Sequence, residues 1–195
     1  DYSYAYPRAD FDKQSIQWDL NYFKYYYLKT SSVAFDEQML EDDFQRLITY
    51  LLEVDCGYFL YRDFQPRNIM LADGRRYYID YQGGRRGAAQ YDVASLLYSA
   101  KSEMPAALRE ELLEYYISLR PTIDDVEFRE HYYAYVLVRM LQAMGAYGFR
   151  GRIEGKAYFL ESIPLAKRNL AQLLQEHPLN IVPYLNQILA QLAIL

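Results

Sequence analysis

Apolar residues recur at intervals of three and four positions through most of the chain, which is the spacing of one buried face of an amphipathic helix. The first stripe follows Phe11 and consists of Ile16, Leu20, Phe23 and Tyr27, with Trp18 expected to extend it. A second helix is predicted from Asp36, because a carboxylate there can accept a backbone N–H of the first turn. Its buried face is predicted to contain Leu40, Phe44, Leu47 and Leu51, and Cys56 with Gly57 is expected to end it.

The hydrophobic period changes between residues 58 and 81. Residues 58–61 are predicted to be a buried strand. Residues 68–72 and 75–81 are predicted to pair as an antiparallel hairpin around a two-residue turn at Asp73 and Gly74. That register places Asn68 opposite Ile79 and leaves Asp80 at the open end of the ribbon. Because side chains alternate along a strand, the ribbon must fray or twist there for Asn68 and Asp80 to reach one ion.

The second half of the chain returns to helical spacing. Residues 83–87 are expected to be flexible, and Asp92 is expected to cap a helix and to accept hydrogen bonds in the core. Pro105 is predicted to begin another helix, and its buried stripe is predicted to be Leu108, Leu112, Tyr115 and Leu119. A longer helix is predicted from about residue 124 to 144, followed by breaks at Gly145, Gly148 and Gly151 and by helices that start near Glu154, after Pro164 and after Pro183. The predicted fold is therefore α+β and mostly helical, with a small β-hairpin.

Composition excludes several classes of protein. A chain of 195 residues with 52% hydrophobic residues is expected to form one compact domain. A net charge of −5 argues against a nucleic-acid surface, which requires clustered Lys and Arg. The lone Cys56 rules out a disulfide framework and favours a cytoplasmic location, and no apolar run is long enough for a bilayer. The expected partner is a small-molecule substrate, with neither nucleic acid nor membrane.

The candidate chemistry lies at Asp63, Asn68 and Asp80, which the hairpin and the loop before it bring towards one another. Phosphoryl transfer needs positioning of the nucleophile and neutralisation of phosphate charge rather than covalent help from the protein. Asp63 is predicted to orient an acceptor hydroxyl and take its proton. Asn68 and Asp80 offer the hard oxygen ligands that Mg²⁺ prefers.

Three segments carry a family resemblance: residues 62–70 read RDFQPRNIM, residues 79–84 read IDYQGG, and residues 91–97 read YDVASLL. They resemble the aminoglycoside phosphotransferase and choline kinase branch of the protein-kinase-like superfamily. Within it, the chain is most similar to bacterial kinases that act on the anomeric hydroxyl of N-acetylmuramate and N-acetylglucosamine. The resemblance implies that Asp63 is the catalytic base, that Asn68 and Asp80 bind Mg²⁺ and through it the cofactor ATP, and that residues 1–195 form the C-terminal lobe of a kinase-like fold.

The chain also departs from the kinase pattern. Tyr61 stands in place of the usual histidine, and Gln65 stands where protein kinases carry a lysine that contacts the transferred phosphate. No glycine precedes Gly57, so a Gly-rich phosphate loop and the rest of an N-terminal nucleotide lobe are missing from this chain. The nucleotide lobe is therefore expected elsewhere in the full-length protein.

The leading function is a kinase that phosphorylates a hydroxyl of a small molecule, either an amino sugar or an aminoglycoside-like compound, and two other functions remain open at this point. The chain fits a kinase-like binding module without catalytic activity, and less well a Mg²⁺-dependent hydrolase, which usually requires more ligands. Several residues have structural interpretations: Arg62 is expected to tie the loop to a carboxylate, and Cys56, His131 and His177 are expected to serve packing. Arg85 and Arg86 either neutralise phosphate or belong to a mobile, solvated loop.

Overall fold

A computed structural model describes residues 2–194 and shows a mostly helical α+β fold, which confirms the predicted fold class. The helices are α1 (Lys13–Phe23), α2 (Glu37–Leu51), α3 (Gln90–Leu97), α4 (Ala106–Ser118), α5 (Asp125–Ala146), α6 (Ala157–Glu176) and α7 (Pro183–Ile194). The strands are β1 (Tyr58–Leu60), β2 (Ile69–Ala72), β3 (Arg75–Tyr78) and β4 (Arg85–Gly87). Helical turns of other types occur at Tyr2–Tyr4, Lys24–Leu28, Pro66–Asn68, Ala100–Ser102 and Tyr147–Ile153. No helix in this part of the chain has the length and apolar character to cross a membrane.

Helix α5 lies at the centre of the fold and packs against α1, α2, α3 and α6. The stripe predicted for the first helix is confirmed, because Ile16, Leu20, Phe23 and Tyr27 are fully buried. The prediction for Trp18 is wrong: its side chain is 50% exposed, and the Arg8 guanidinium lies 5.4 Å from its ring centroid. Two residues of helix correspond to about 200° of rotation, so Trp18 points away from the face that contains Ile16.

Helix α2 begins as predicted but ends earlier. The Asp36 carboxylate accepts the Met39 backbone N–H at 2.9 Å, and the four predicted apolar residues are buried. The helix ends at Leu51 rather than at Cys56 and Gly57. Gly57 is not left-handed; its N–H donates to the Asp55 carboxylate at 2.8 Å in a turn that leads into β1.

The hairpin prediction is confirmed in its turn and register. Asp73 and Gly74 have φ values of 50° and 70°, and the pairs run from Ile69 with Tyr78 to Ala72 with Arg75. The predicted flexibility of residues 83–87 is wrong, because Arg85–Gly87 forms β4 and pairs antiparallel with β1. A Cβ at position 87 would lie 2.6 Å from Leu60 Cδ1, so only glycine allows this close approach of the two strands.

The stripe predicted for α4 is wrong. Leu108, Tyr115 and Leu119 are exposed, and the buried positions are Arg109, Leu113 and Ile117. This helix is apolar on two faces, so the sequence does not indicate which of them meets the core. The outer face, together with Phe59 and Phe64, lines an open apolar groove.

The predicted breaks after α5 are also wrong. The chain continues from α5 into the helical segment Tyr147–Ile153. A Cβ on Gly148 would overlap the backbone of Tyr26, and one on Gly145 would lie 2.8 Å from the Tyr22 carbonyl carbon. These glycines therefore permit close helix packing rather than chain reversal. Similarly, α6 is one helix that includes Pro164, where two helices were predicted.

Candidate functional site

The loop that carries Asp63 is anchored by Asp92 from the first turn of α3. The Asp92 carboxylate accepts the backbone N–H groups of Tyr61 and Arg62, at 2.5 and 3.1 Å. The predicted helix cap is wrong, because Ala89 occupies the N-cap position, whereas the predicted role of Asp92 as a buried hydrogen-bond acceptor is confirmed. Burial raises the pKa of Asp92 from 3.8 to about 6, against the opposing effect of the two N–H donors.

Arg62 is a structural residue, as expected. Its guanidinium forms two hydrogen bonds with the Asp19 carboxylate, at 2.8 and 2.5 Å, and a third with the Tyr91 hydroxyl at 2.6 Å. Burial alone would lower the pKa of Arg62, but the Asp19 charge holds it above its usual value; burial also raises the pKa of Tyr91 to about 12. The backbone of Arg62 has a φ of 84°. A strained non-glycine residue persists only where its surroundings fix it, and Asp19 and Asp92 supply that support here.

Three donors surround the Asp63 carboxylate. Arg139 Nη2 donates to its Oδ1 at 3.0 Å, Gln65 Nε2 donates to the same oxygen, and Arg67 Nη2 donates to Oδ2 at 3.3 Å. Arg139 is nearly buried and is fixed in turn by Ser95 Oγ, which its Nε contacts at 2.9 Å. The orientation of Asp63 is therefore set mainly from α5.

Asn68 and Asp80 flank the hairpin as predicted. Asn68 is buried, and its Nδ2 donates to the Asp63 backbone carbonyl at 2.9 Å, so the atom offered to a cation would be the side-chain oxygen. Pairing extends one step beyond β3, since the Ile79 N–H donates to the Asn68 carbonyl at 3.0 Å. Asp80 follows in the left-handed region with a φ of 69°. The ribbon thus departs from regular strand geometry at Asp80, which is the position where the sequence predicted that it must fray or twist.

Asp63 and Asp80 line one cleft of about 290 Å³ between the loop, α5 and α6. The other polar and aromatic residues of its wall are Tyr61, Arg62, Gln65, Arg67, Gln82, Ser99, Lys101, Arg139, Gln142, Tyr147, Tyr158, Phe159 and Ser162. Asn68 is not part of the wall and is connected to the site by its hydrogen bond to the Asp63 carbonyl.

The model of the phosphotransferase enzyme family (APH) matches residues 7–129. The chain belongs to this family. The comparison with curated proteins gives no match.

The residues matched by the family model include only part of the cleft wall. The matched residues include Asp63, Asn68 and Asp80, whereas Arg139, Tyr147 and Tyr158 lie beyond the match. Sequence reasoning missed Arg139 because it lies 76 residues after Asp63. The available signal was an arginine within the apolar run from Tyr135 to Leu141, since a charge on a buried face usually has a partner.

The donor set fits Mg²⁺ better than a metal that requires a full protein cage. Among residues 2–194, no group of three or more His, Cys, Asp or Glu side chains could hold a metal ion. Mg²⁺ needs only one or two carboxylates, because it keeps water and uses phosphate oxygens. Asp80 on the cleft wall, together with Asn68, which is hydrogen-bonded to the Asp63 loop, would be the residues that hold such an ion.

Other reactive residues lie apart from the cleft. His131 stacks on Tyr50 at 4.3 Å and His177 on Tyr133 at 3.5 Å between ring centroids. Burial raises the pKa of the Cys56 thiol, which keeps it protonated. All three therefore act in packing, as their sequence positions indicated.

Proposed function

We propose that this phosphotransferase carries out ATP- and Mg²⁺-dependent transfer of a phosphoryl group to a hydroxyl of an amino sugar. Residues 1–195 would form its catalytic-loop lobe, and the nucleotide lobe would belong to the full-length protein. The observation that carries the proposal is the shared cleft of Asp63 and Asp80, with Asn68 hydrogen-bonded to the Asp63 backbone. Family membership supports the reaction class.

Asp63 is the proposed base. Its Oδ1 is held by buried Arg139 and by Gln65, whereas its Oδ2 contacts only Arg67 at the longer distance of 3.3 Å. The Asp63 and Arg67 side chains are 34% and 44% exposed, so this ion pair is weak and an acceptor hydroxyl can replace it. Asp63 Oδ2 would then orient the hydroxyl and take its proton. Asp80 and Asn68 would hold Mg²⁺, which would neutralise the phosphate charge when bound.

The charge of the cleft favours an acceptor without ammonium groups. Its wall in the described chain carries four cations, Arg62, Arg67, Lys101 and Arg139, and two carboxylates, Asp63 and Asp80. Asp63 is engaged by Arg67 and Arg139, and Asp80 is assigned to the metal, so no wall carboxylate remains to pair with an acceptor ammonium. The other two cations, Arg62 and Lys101, are paired with Asp19 and Glu161 outside the wall. Polycationic aminoglycosides would therefore lose hydration without gaining a carboxylate partner. An N-acylated sugar needs no such partner and can pack against Tyr147 and Tyr158.

The experiment is a phosphorylation assay of the full-length protein with labelled ATP, Mg²⁺ and a panel of acceptors: N-acetylglucosamine, N-acetylmuramate, kanamycin and choline. We expect N-acetylated sugars to be phosphorylated and the two cations not to be. Asp63→Asn should lower kcat by about 10²–10⁴-fold, the usual contribution of a general base. Asp73→Asn is the matched control, because it changes an exposed turn carboxylate to a residue that also tolerates a positive φ. Full activity of Asp63→Asn would exclude Asp63 as the base.

A kinase-like binding module without activity is the alternative. The same contacts support this alternative, because Arg139, Gln65 and Arg67 donate hydrogen bonds to the Asp63 carboxylate as they would in a purely structural network. Calorimetric titration of the full-length protein with Mg-ATP separates the two functions. Binding together with turnover supports the kinase, whereas a sugar ligand bound without any Mg-ATP affinity supports the module.

A further inference from the structure

A second, smaller cavity of about 160 Å³ lies at the N-terminal end of α4, between α4, α6 and the turn Ala100–Ser102. Its polar wall consists of Glu103, Arg109, Arg168, Asn169 and Gln172. It shares no wall residue with the cleft of Asp63 and Asp80. The smaller cavity is therefore separate from the phosphotransferase site.

Arg109 brings an uncompensated charge into this cavity. Its side chain belongs to the buried face of α4, and the residue is only 5% exposed. Its hydrogen bonds go to neutral partners, from Nη2 to Asn169 Oδ1 at 2.9 Å and from Nη1 to Gln172 Oε1 at 3.3 Å. The Arg109 guanidinium also lies 4.4 Å from the centroid of the Tyr98 ring, which attracts the cation but carries no negative charge to balance it. Among residues 2–194, no carboxylate forms an ion pair with it. A buried arginine usually has an anionic partner, so the missing charge points to a ligand.

Buried donors at the same place lack acceptors. Arg109 Nε and Asn169 Nδ2 have no hydrogen-bond partner within the described part of the chain, and both residues are more than nine-tenths buried. Leaving a buried donor unsatisfied is unfavourable. An anionic ligand in the cavity would balance the Arg109 charge, and its oxygens would satisfy both donors once the Arg109 and Asn169 side chains turn towards it.

The start of α4 adds a third feature. Pro105 occupies the N-cap position without a side-chain cap, and the first turn contains no acid. Pro105 and Ala106 both line the cavity. The first backbone N–H groups of a helix have no intrahelical acceptor, and the helix dipole favours negative charge there. An uncapped helix start next to a buried, unpaired arginine is a site suited to an anion.

We propose that this cavity binds a phosphate-type oxyanion, either orthophosphate or the phosphoryl group of a small phosphomonoester. Arg109, Asn169 and the first N–H groups of α4 would contact its oxygens, with Arg168 at the mouth. Glu103 opposes this charge, since its carboxylate forms an ion pair with Arg168 at 3.1 Å. Both side chains are more than half exposed, so the pair is weak and Glu103 can turn to solvent when the anion enters.

The test is calorimetric titration of the protein with orthophosphate in chloride buffer of constant ionic strength. We expect saturable binding with a Kd of about 1 mM or tighter. Ala106→Asp should weaken binding at least about tenfold, because it places a carboxylate at the site while a first-turn acid stabilises the helix itself. Glu103→Gln should tighten binding, because it removes the opposing charge. Arg150→Gln, which changes an exposed arginine paired with Glu154, should leave the Kd unchanged.

Arg109→Gln is the direct variant and should abolish phosphate binding, with circular dichroism to verify its fold. If Arg109→Gln unfolds, the opposite changes expected in the Kd of Ala106→Asp and of Glu103→Gln still test the proposal. Orthophosphate and phenyl phosphate are compared as probes: tighter binding of phenyl phosphate assigns the site to phosphomonoesters, and tighter binding of orthophosphate assigns it to the free ion. Absence of saturable binding, or a Kd that neither Ala106→Asp nor Glu103→Gln alters, would overturn the proposal.

Discussion

The anchoring of the catalytic loop by Asp92 leads to a pH dependence that can be worked out. Asp92 has a folded-state pKa of about 6, against an ordinary value of 3.8. The folded protein therefore holds the proton more tightly than the unfolded chain does. Stability from this group is fully present below pH 4 and is lost as the pH rises through 6. A shift of about two units corresponds to about 3 kcal/mol, most of it lost between pH 4 and pH 7.

The perturbation is Asp92→Asn, which keeps an acceptor oxygen for the Tyr61 or Arg62 N–H and removes the titration. Urea unfolding of both proteins from pH 4 to pH 7 gives the difference in their free energies of unfolding at each pH, and all other acids cancel in that difference. We expect the advantage of the wild type to shrink by about 2 to 3 kcal/mol over this range. A difference that stays constant with pH would refute the view that Asp92 is a buried carboxyl supporting the loop.

Three further substitutions test the packing and the site. Gly148→Ala should destabilise the fold by several kcal/mol, because its Cβ would overlap the Tyr26 backbone. Gly155→Ala has open space and should cost about 1–2 kcal/mol for its φ of +71° alone. Thermal unfolding compares the two variants, and equal losses of stability would contradict the close packing at Gly148. Arg62→Lys should cost about 1.5–3 kcal/mol in urea unfolding, because it loses the paired bonds to Asp19; a neutral result would exclude a structural role for the guanidinium. Arg139→Gln should lower kcat by up to about 10²-fold with little change in KM, because Asp63 loses its hydrogen bond from α5. Arg129→Gln is the surface control. An Arg139→Gln variant with unchanged kcat would show that Arg139 does not support the site.

Local signals predicted the parts of the fold that depend on neighbouring residues. The Asp73 and Gly74 turn fixes the register of the hairpin, and Asp36 marks the start of α2, because both effects act within a few residues of the chain. Asp63, Asn68 and Asp80 were predicted to meet in one site from their spacing and from the family resemblance; Asp63 and Asp80 line one cleft, whereas Asn68 is not part of its wall.

Several of the wrong predictions depend on contacts between distant segments. The buried face of α4 depends on which of its two apolar sides meets the core, and Gly148 has its function only because the Tyr26 backbone lies against it. Arg139 reaches Asp63 from another helix, and Arg85–Gly87 becomes a strand only because β1 lies beside it. Such pairings are properties of the folded chain rather than of a sequence window.

The most direct test of a shared phosphoryl-transfer site is metal binding by the full-length protein in the presence of ATP. Electron paramagnetic resonance of free Mn²⁺, used as a substitute for Mg²⁺, gives the affinity for wild type, Asp80→Asn and the turn control Asp73→Asn. If Asp63, Asn68 and Asp80 form one phosphoryl-transfer site, Asp80→Asn should weaken Mn²⁺ binding by at least about tenfold, and Asp73→Asn should bind as the wild type does. Equal Mn²⁺ affinity in all three proteins would contradict the account.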